Sequence, residues 1–298
     1  MNAAKTPYTI TRRLFLQAGA AFSLGGAAWT QSSRPAFRFG VVTDSHYADI
    51  EPRGTRYYRQ SLDKMAECVG RMNQAKVDFL VELGDLKDEN TPSNEQETLG
   101  FLEAIEQQLA GFAGPRYYVL GNHDLDSIGK DQFWSRVDLT ADRDDKSFYS
   151  FNHKEMHFVV LDANFRSDGA PYDRGNFNWT DANISTDQLQ WLEQDLAQSP
   201  YPAIVFVHQL LDGEGDVYIN NAQAVRAVLE QSGKVAAVMN GHHHAGQYNR
   251  IGGIHYVTHI AMVEGSGQAN SAYSIVEVRE NGDLLITGYR RAQDYSLP

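Results

Sequence analysis

Cysteine is nearly missing from this chain: Cys68 is the only one among 298 residues. An internal disulfide is therefore excluded, and so is a cluster of thiolates around a metal ion. Cys68 lies in helix-like sequence, where a small buried apolar role is expected. Positive charge is scarce as well, with 26 Lys and Arg against 38 Asp and Glu and a net charge of −12. A protein that coats nucleic acid needs the opposite sign, so that class is not expected. An anionic substrate has to be attracted locally, most simply by bound cations. Internal repeats and low-complexity tracts are also missing beyond residue 30.

Long apolar runs are few. Leu14 to Trp29 is the one candidate, and it is short and Gly/Ala-rich for a membrane span. It follows Arg12-Arg13 and contains small residues, which reads as a secretory signal of twin-arginine type over residues 1–30. Residues 31–35 read as a linker, and residues 36–298 as one domain. No cysteine closely follows the apolar stretch, which excludes anchoring of the lipoprotein type. Cleavage would remove Lys5, Arg12 and Arg13 and no acid, so the charge of −12 becomes −15. The expectations are export by the twin-arginine machinery, a periplasmic or secreted location, and no membrane span after processing.

Hydrophobic residues make up 42% of the chain and charged residues 21%, enough for the large core of a soluble enzyme. Strand-like runs are expected at 36–43, 77–83 and 116–120, with helices at 56–74 and 93–110 between them. Ser93, with Gln96 three residues on, suits a capping box for the second helix. A hairpin is expected from 147–152 and 156–161. Beyond it lie helices at 186–196 and 222–230, strands at 203–207 and 235–239, and three more strands in the tail. The pattern is α/β, with two stacked sheets and helices outside. The stretch 166–183 is rich in Gly, Asn, Asp and aromatics and lacks periodicity, as functional loops do.

Chemistry concentrates at the ends of the strand-like runs. Asp44-Ser45-His46, Gly84-Asp85, Gly121-Asn122-His123-Asp124 and Gly241-His242-His243-His244 each follow such a run, and His208 ends another. Ligands in open α/β sheets gather beyond the carboxyl ends of strands, so all five places can converge. The donors are hard oxygens and imidazoles, enough for two divalent cations with Asp85 as a bridge. Asp44, His46, Asp85 and His244 are assigned to one ion, and Asp85, Asn122, His208 and His242 to the second. Such a set suits Mn, Fe or Zn ions more than a structural zinc site. The pairs Asp44/His46 and His242/His244 are two residues apart, a spacing that puts both side chains on one side of a strand.

The motif set, in this order over residues 37–246, resembles the calcineurin-like metallophosphoesterase superfamily. The resemblance implies a four-layer αββα sandwich of two mixed sheets, a dinuclear site and hydrolysis of a small phosphorylated substrate. Within the superfamily, Phe39-Gly40-Val41-Val42, Tyr47-Ala48-Asp49 and Arg56-Tyr57-Tyr58-Arg59 are similar to manganese-dependent ADP-ribose/CDP-alcohol diphosphatases, although that family often has Gln at the place of His46. Purple acid phosphatases match less well, because Asp88 stands where they need a tyrosine ligand. Two cations acidify a bridging water for attack on phosphorus and neutralise the charge that gathers on its oxygens. His123 is then free to protonate the leaving oxygen, and Asp88 resembles the superfamily carboxylate that orients it; an alternative for Asp88 is a helix cap. Arg59 is placed to reach a second phosphate or to sit exposed on its helix. The resulting expectation is an exported phosphohydrolase for phosphodiesters or nucleotide diphosphates. A phosphomonoesterase and a non-catalytic binding protein on the same scaffold are the alternatives.

Overall fold

A computed structural model describes residues 35–176 and 178–298. The expected signal at 1–30 lies outside them, as does the linker except Pro35, which opens the first strand. In chain order the elements are β1 (Pro35–Val42), α1 (Ser61–Ala75), β2 (Phe79–Glu82), α2 (Glu95–Leu109), β3 (Arg116–Tyr118) and α3 (Lys130–Trp134). They continue with β4 (Tyr149–His153), β5 (Met156–Val160), α4 (Thr186–Gln198), β6 (Ala203–Phe206), α5 (Ala222–Ser232) and β7 (Val235–Asn240). The tail holds β8 (Gln247–Ile251), β9 (Ile254–Thr258), β10 (Ala272–Arg279), β11 (Leu284–Arg290) and β12 (Tyr295–Leu297).

Two six-stranded sheets result, ordered β12-β11-β10-β1-β2-β3 and β4-β5-β6-β7-β9-β8. Both are mixed. β1, β2 and β3 run parallel while β10 joins β1 antiparallel. In the second sheet β5, β6, β7 and β9 run parallel, with antiparallel β4 and β8 at the edges. β2, β5, β6 and β9 are buried along their length, as strands covered on both faces must be.

The sheets meet through aromatic side chains. Phe39 stacks on Phe79 at 5.0 Å between centroids, and Phe158 stacks on Phe206 at 5.8 Å. Phe39 meets Phe158 edge-on at 5.6 Å, one of the offset arrangements that ring quadrupoles favour. On the far side of the first sheet, α1 lays Met65, Cys68, Val69 and Met72 into the same core. Cys68 is fully buried, and burial pushes its thiol well above the usual range, so it plays the inert role expected. A second cluster joins Leu192 and Leu196 of α4 and Val225 and Leu229 of α5 to the outer face of the second sheet. The layers are therefore αββα.

Three expectations are corrected. The helix expected from Arg56 begins at Ser61, because Arg53 and Arg56 are bridged in an extended turn and Tyr58–Gln60 forms a 3-10 turn. Asn94, not Ser93, caps α2: its backbone is extended and its side chain accepts from the Glu97 N–H at 3.1 Å. The short elements α3, β8 and β12 were not expected. Among the described residues no helix is long and apolar enough to cross a membrane.

Candidate metal centre

The loops that leave β1, β2, β3, β6 and β7 at their carboxyl ends carry all the expected ligands. The chain there leaves the pleat at once. Asp44, His46, Asp85 and His242 have φ of 52°, 45°, 56° and 66°, a left-handed backbone that L residues rarely adopt. Each costs on the order of 1–3 kcal/mol and persists only where neighbours over-determine it. Backbone hydrogen bonds do so here: the Asp44 N–H donates to Gly84 O at 3.0 Å and the His46 N–H to Asp85 O at 2.9 Å. Asp44 and His46 thus converge through a left-handed turn, not through the strand alternation that the spacing suggested.

Two motif glycines follow from close approach. A Cβ on Gly121 would strike the Asp85 N–H and carboxylate. A Cβ on Gly241 would strike Thr43 Oγ1 and lie 2.6 Å from Asp44 Oδ2. Only a residue without a side chain lets these loops close over the carboxylates. Asp124, fully buried, stitches two of them together by accepting from the N–H groups of Asp85 at 3.0 Å, Leu86 at 2.9 Å and Gly121 at 2.8 Å.

Six of the seven expected ligands are brought together in two groups, and the seventh, Asn122, lines the same cleft. In the first, His46 Nε2 lies 3.1 Å from His244 Nε2, 3.6 Å from Asp44 Oδ1 and 3.5 Å from Asp85 Oδ2. His244 Nε2 is 3.4 Å from Asp44 Oδ1. In the second, His208 Nε2 lies 3.1 Å from Asp85 Oδ2, and His242 offers a ring nitrogen to the same group. Atoms about 3 Å apart have the spacing of ligands around one ion with bonds of about 2.0–2.2 Å. Asp85 faces both groups through one oxygen, while its other oxygen accepts the His123 N–H at 2.7 Å.

The donors fit divalent cations. Asn122 Oδ1 and His242 Nε2 are buried and make no hydrogen bond among the described residues. Buried polar atoms are seldom left this way unless a ligand satisfies them. Burial works against ionisation of Asp85, yet the imidazoles of His208 and His46 hold its carboxyl well below the usual carboxylate range. Burial and the neighbouring His208 charge push His242 down to about 3, leaving the neutral imidazole that binds metals. Burial opposes protonation of His208, but the Asp85 carboxylate pushes it up to about 9, and a cation between the two would displace that proton. The other ring nitrogens are fixed: His208 Nδ1 sits 2.8 Å from Leu83 O and His244 Nδ1 2.7 Å from Glu264 Oε1. Such partners set the tautomer and raise the basicity of a ligating imidazole.

Asp88 is not a helix cap. It lies between the rings of His46 and His123, Oδ2 3.3 Å from His46 Nδ1 and Oδ1 3.5 Å from His123 Nδ1. Asp126 approaches His123 Nδ1 from the other side at 3.7 Å. Burial alone would lower the basicity of His123, but the Asp88 carboxylate, helped by Asp126, raises it well above the ordinary imidazole value. These carboxylates favour the protonated imidazole, and His123 lines the cleft. Lys87, fully buried, donates to His123 O at 2.5 Å and pairs with Asp126, which fixes this loop.

The cleft over the centre has a volume of about 520 Å³ and includes Arg56, Trp179, Val217 and Glu264 in its walls. None of these four was assigned to the site from sequence. Glu264 lies in the loop that follows β9, so the strand-end placement that revealed the other ligand loops was available for it too. Lys64, buried in α1, holds that loop by donating to the carbonyls of Met262 at 2.8 Å and Gly265 at 2.8 Å. Arg59, considered for a second phosphate, is not in the cleft wall; it pairs with Asp49 at 2.5 Å and Glu51 at 2.6 Å on the exposed surface. The guanidinium at the cleft belongs instead to Arg56. Neither His153, His157, His243, His255 nor His259 joins a ligand group among the described residues.

Known proteins share this architecture. A dimetal phosphatase from Danio rerio superposes with a TM-score of 0.76 at 21% identity, over 89% of this chain and 99% of that one. A protein from Oryza sativa subsp. japonica described as a manganese-dependent ADP-ribose/CDP-alcohol diphosphatase is 27% identical over 91% of this chain and 97% of its own length. An Arabidopsis thaliana protein of the same description is 24% identical over 87% and 96%. The sequence model of the calcineurin-like phosphoesterase family matches residues 37–246, which span every expected ligand from Asp44 to His244, and the chain belongs to that family of metal-dependent hydrolases.

Proposed function

We propose that this metallophosphoesterase is an exported enzyme that holds two divalent cations and cleaves phosphodiesters or, preferentially, the diphosphate (phosphoanhydride) linkage of nucleotide derivatives. The observation that carries the reading is Asp85 Oδ2, within 3.5 Å of His46 on one side and 3.1 Å of His208 on the other. One carboxylate facing two ligand groups is the arrangement two adjacent cations need. Asp44, His46 and His244 would hold the first ion with Asp85, and Asn122, His208 and His242 would hold the second. Bound there, the ions supply an acidified water and positive charge for the phosphoryl oxygens. His123 donates a proton to the leaving oxygen, and Asp88 and Asp126 keep that proton in place and the ring aimed. Arg56 adds a fixed positive charge for a further phosphate.

The diphosphate preference is supported by the rice and Arabidopsis relatives, both described as ADP-ribose/CDP-alcohol diphosphatases and matched over nearly their full length. Retention of all seven ligands argues against a binding protein that has lost its chemistry. Export rests on the Arg12-Arg13 pair and the apolar stretch after it. With Mn²⁺ added, ADP-ribose and bis-p-nitrophenyl phosphate are expected to be cleaved at least about tenfold more efficiently than p-nitrophenyl phosphate. A profile confined to the monoester would establish the phosphomonoesterase alternative. Recovery of an unprocessed chain from the cytoplasm alone would remove the export claim.

A further inference from the structure

Only two large hydrophobic side chains are strongly exposed among the described residues, Trp179 at 44% and Tyr248 at 41%. Tyr248 has local partners: its ring packs 5.5 Å from that of Tyr295 and its hydroxyl lies 2.9 Å from His255 Nδ1. Trp179 is different. It stands in the wall of the metal cleft with Val217, and its ring centroid is 6.2 Å from that of His242. Of the other described tryptophans, Trp134 is buried and Trp191 packs against the core of the second sheet.

The turn that carries Trp179 is held on both flanks. Asn178 O accepts the Tyr172 hydroxyl at 2.6 Å and the Asp181 N–H at 2.7 Å. Asn178 Oδ1 accepts the Thr180 hydroxyl at 2.9 Å. The Asp181 carboxylate accepts the Ser167 N–H and the side-chain amides of Asn183 and Asn220, each at 3.1 Å. Asn220 N–H donates to Ala182 O at 2.8 Å, which ties the loop to the segment before α5. An indole on a backbone fixed in this way has its ordering cost met before any ligand arrives.

We infer that Trp179 is the stacking platform for the nucleobase of the substrate, so that the enzyme selects nucleotides over other phosphorylated compounds. The inference deepens the diphosphatase reading and names the substrate class for the same cleft. A flat, half-exposed indole beside a ligand histidine offers a π-face to a group attached to the bound phosphate. Stacking of that kind tolerates every base, because each has a π-face. Val217 supplies an apolar wall nearby, and the polar wall of Arg56 and Glu264 is left for the phosphates and the rest of the substrate. The loop at 166–183 thereby acquires its function: it sets selectivity and leaves the metal chemistry to the strand-end loops.

Calorimetric titration of the Mn²⁺-loaded protein with AMP and with ribose 5-phosphate tests the inference without depending on turnover. The two ligands share the phosphate and sugar and differ in the base. The ratio of their dissociation constants is expected to favour AMP in the wild type. In Trp179→Ala that preference should shrink about tenfold, and in Trp179→Phe it should stay within about threefold of wild type. Trp179 is exposed, so neither change threatens folding. An AMP preference unchanged in Trp179→Ala would overturn the inference, whatever the protein hydrolyses. Should the preference shrink as expected while ADP-ribose is not cleaved, the platform stands and the diphosphatase reading falls.

Discussion

Asp85→Asn is expected to abolish turnover and to release most of the bound metal. Asp85 is the one carboxylate that faces both ligand groups, and its pairing with His46 and His208 is what keeps it ionised in a buried site. An amide keeps the shape and loses the charge. Two cations would then crowd together with only Asp44 left as an anionic ligand in the proposed set, and their mutual repulsion would be poorly screened. Accelerations by enzymes commonly exceed about 10⁶-fold, so loss of the ions forfeits most of the rate. The checks are metal analysis after gel filtration and a steady-state assay on ADP-ribose. The backbone adds a second demand, since position 85 sits at φ 56°, which Asn tolerates better than most residues. The variant is therefore expected to fold, so that the lost metal reports on the charge.

His123→Ala should separate chemistry from binding. The imidazole is flanked by Asp88 and Asp126 and belongs to neither proposed ion, so metal content is expected to stay near wild type. Turnover is expected to fall by about 10²–10⁴-fold, the usual contribution of a positioned general acid. A pH signature accompanies the loss. The pKa of His123 is raised, so the proton is held to higher pH than on an ordinary imidazole. Wild-type rate should accordingly fall on that alkaline limb, and the variant should lose the limb. Equal metal loss in His123→Ala and Asp85→Asn would erase the division of roles proposed for the two residues.

Much of the candidate centre is legible in the sequence, for a physical reason. Hard donors sit directly after apolar strand runs, and parallel strands deliver their carboxyl ends to one edge of the fold. Asp44, Asp85, Asn122, His208 and His242 could be read that way because topology alone brings strand ends together. The local geometry could not be read. Spacing suggested that Asp44 and His46 share a strand face, whereas both residues are left-handed and the strand has already ended at Val42. Asp126 escaped because it acts through a neighbouring histidine, a contact that leaves no spacing pattern, whereas Glu264 follows β9 and its strand-end placement went unused. Trp179 escaped for another reason: it lies in a loop without periodicity, where hydrogen bonds to flanking residues such as Asn178 and Asp181 fix its place.

The same contrast holds in the fold. Buried strands such as Phe79–Glu82 announce themselves by composition, while β8 alternates polar and half-buried residues at a sheet edge and β12 has three residues. Ser93 and Asn94 are both good cap formers, and only the extended backbone at Asn94, with φ −141° and ψ 113°, selects between them.

The central claim is that two cations share Asp85. Anomalous diffraction from crystals grown with Mn²⁺, collected on both sides of the manganese absorption edge, tests it most directly. Two peaks are predicted, one among Asp44, His46 and His244 and one among Asn122, His208 and His242, with the Asp85 carboxylate between them. A single peak at full occupancy, or two peaks that do not flank Asp85, would contradict the account.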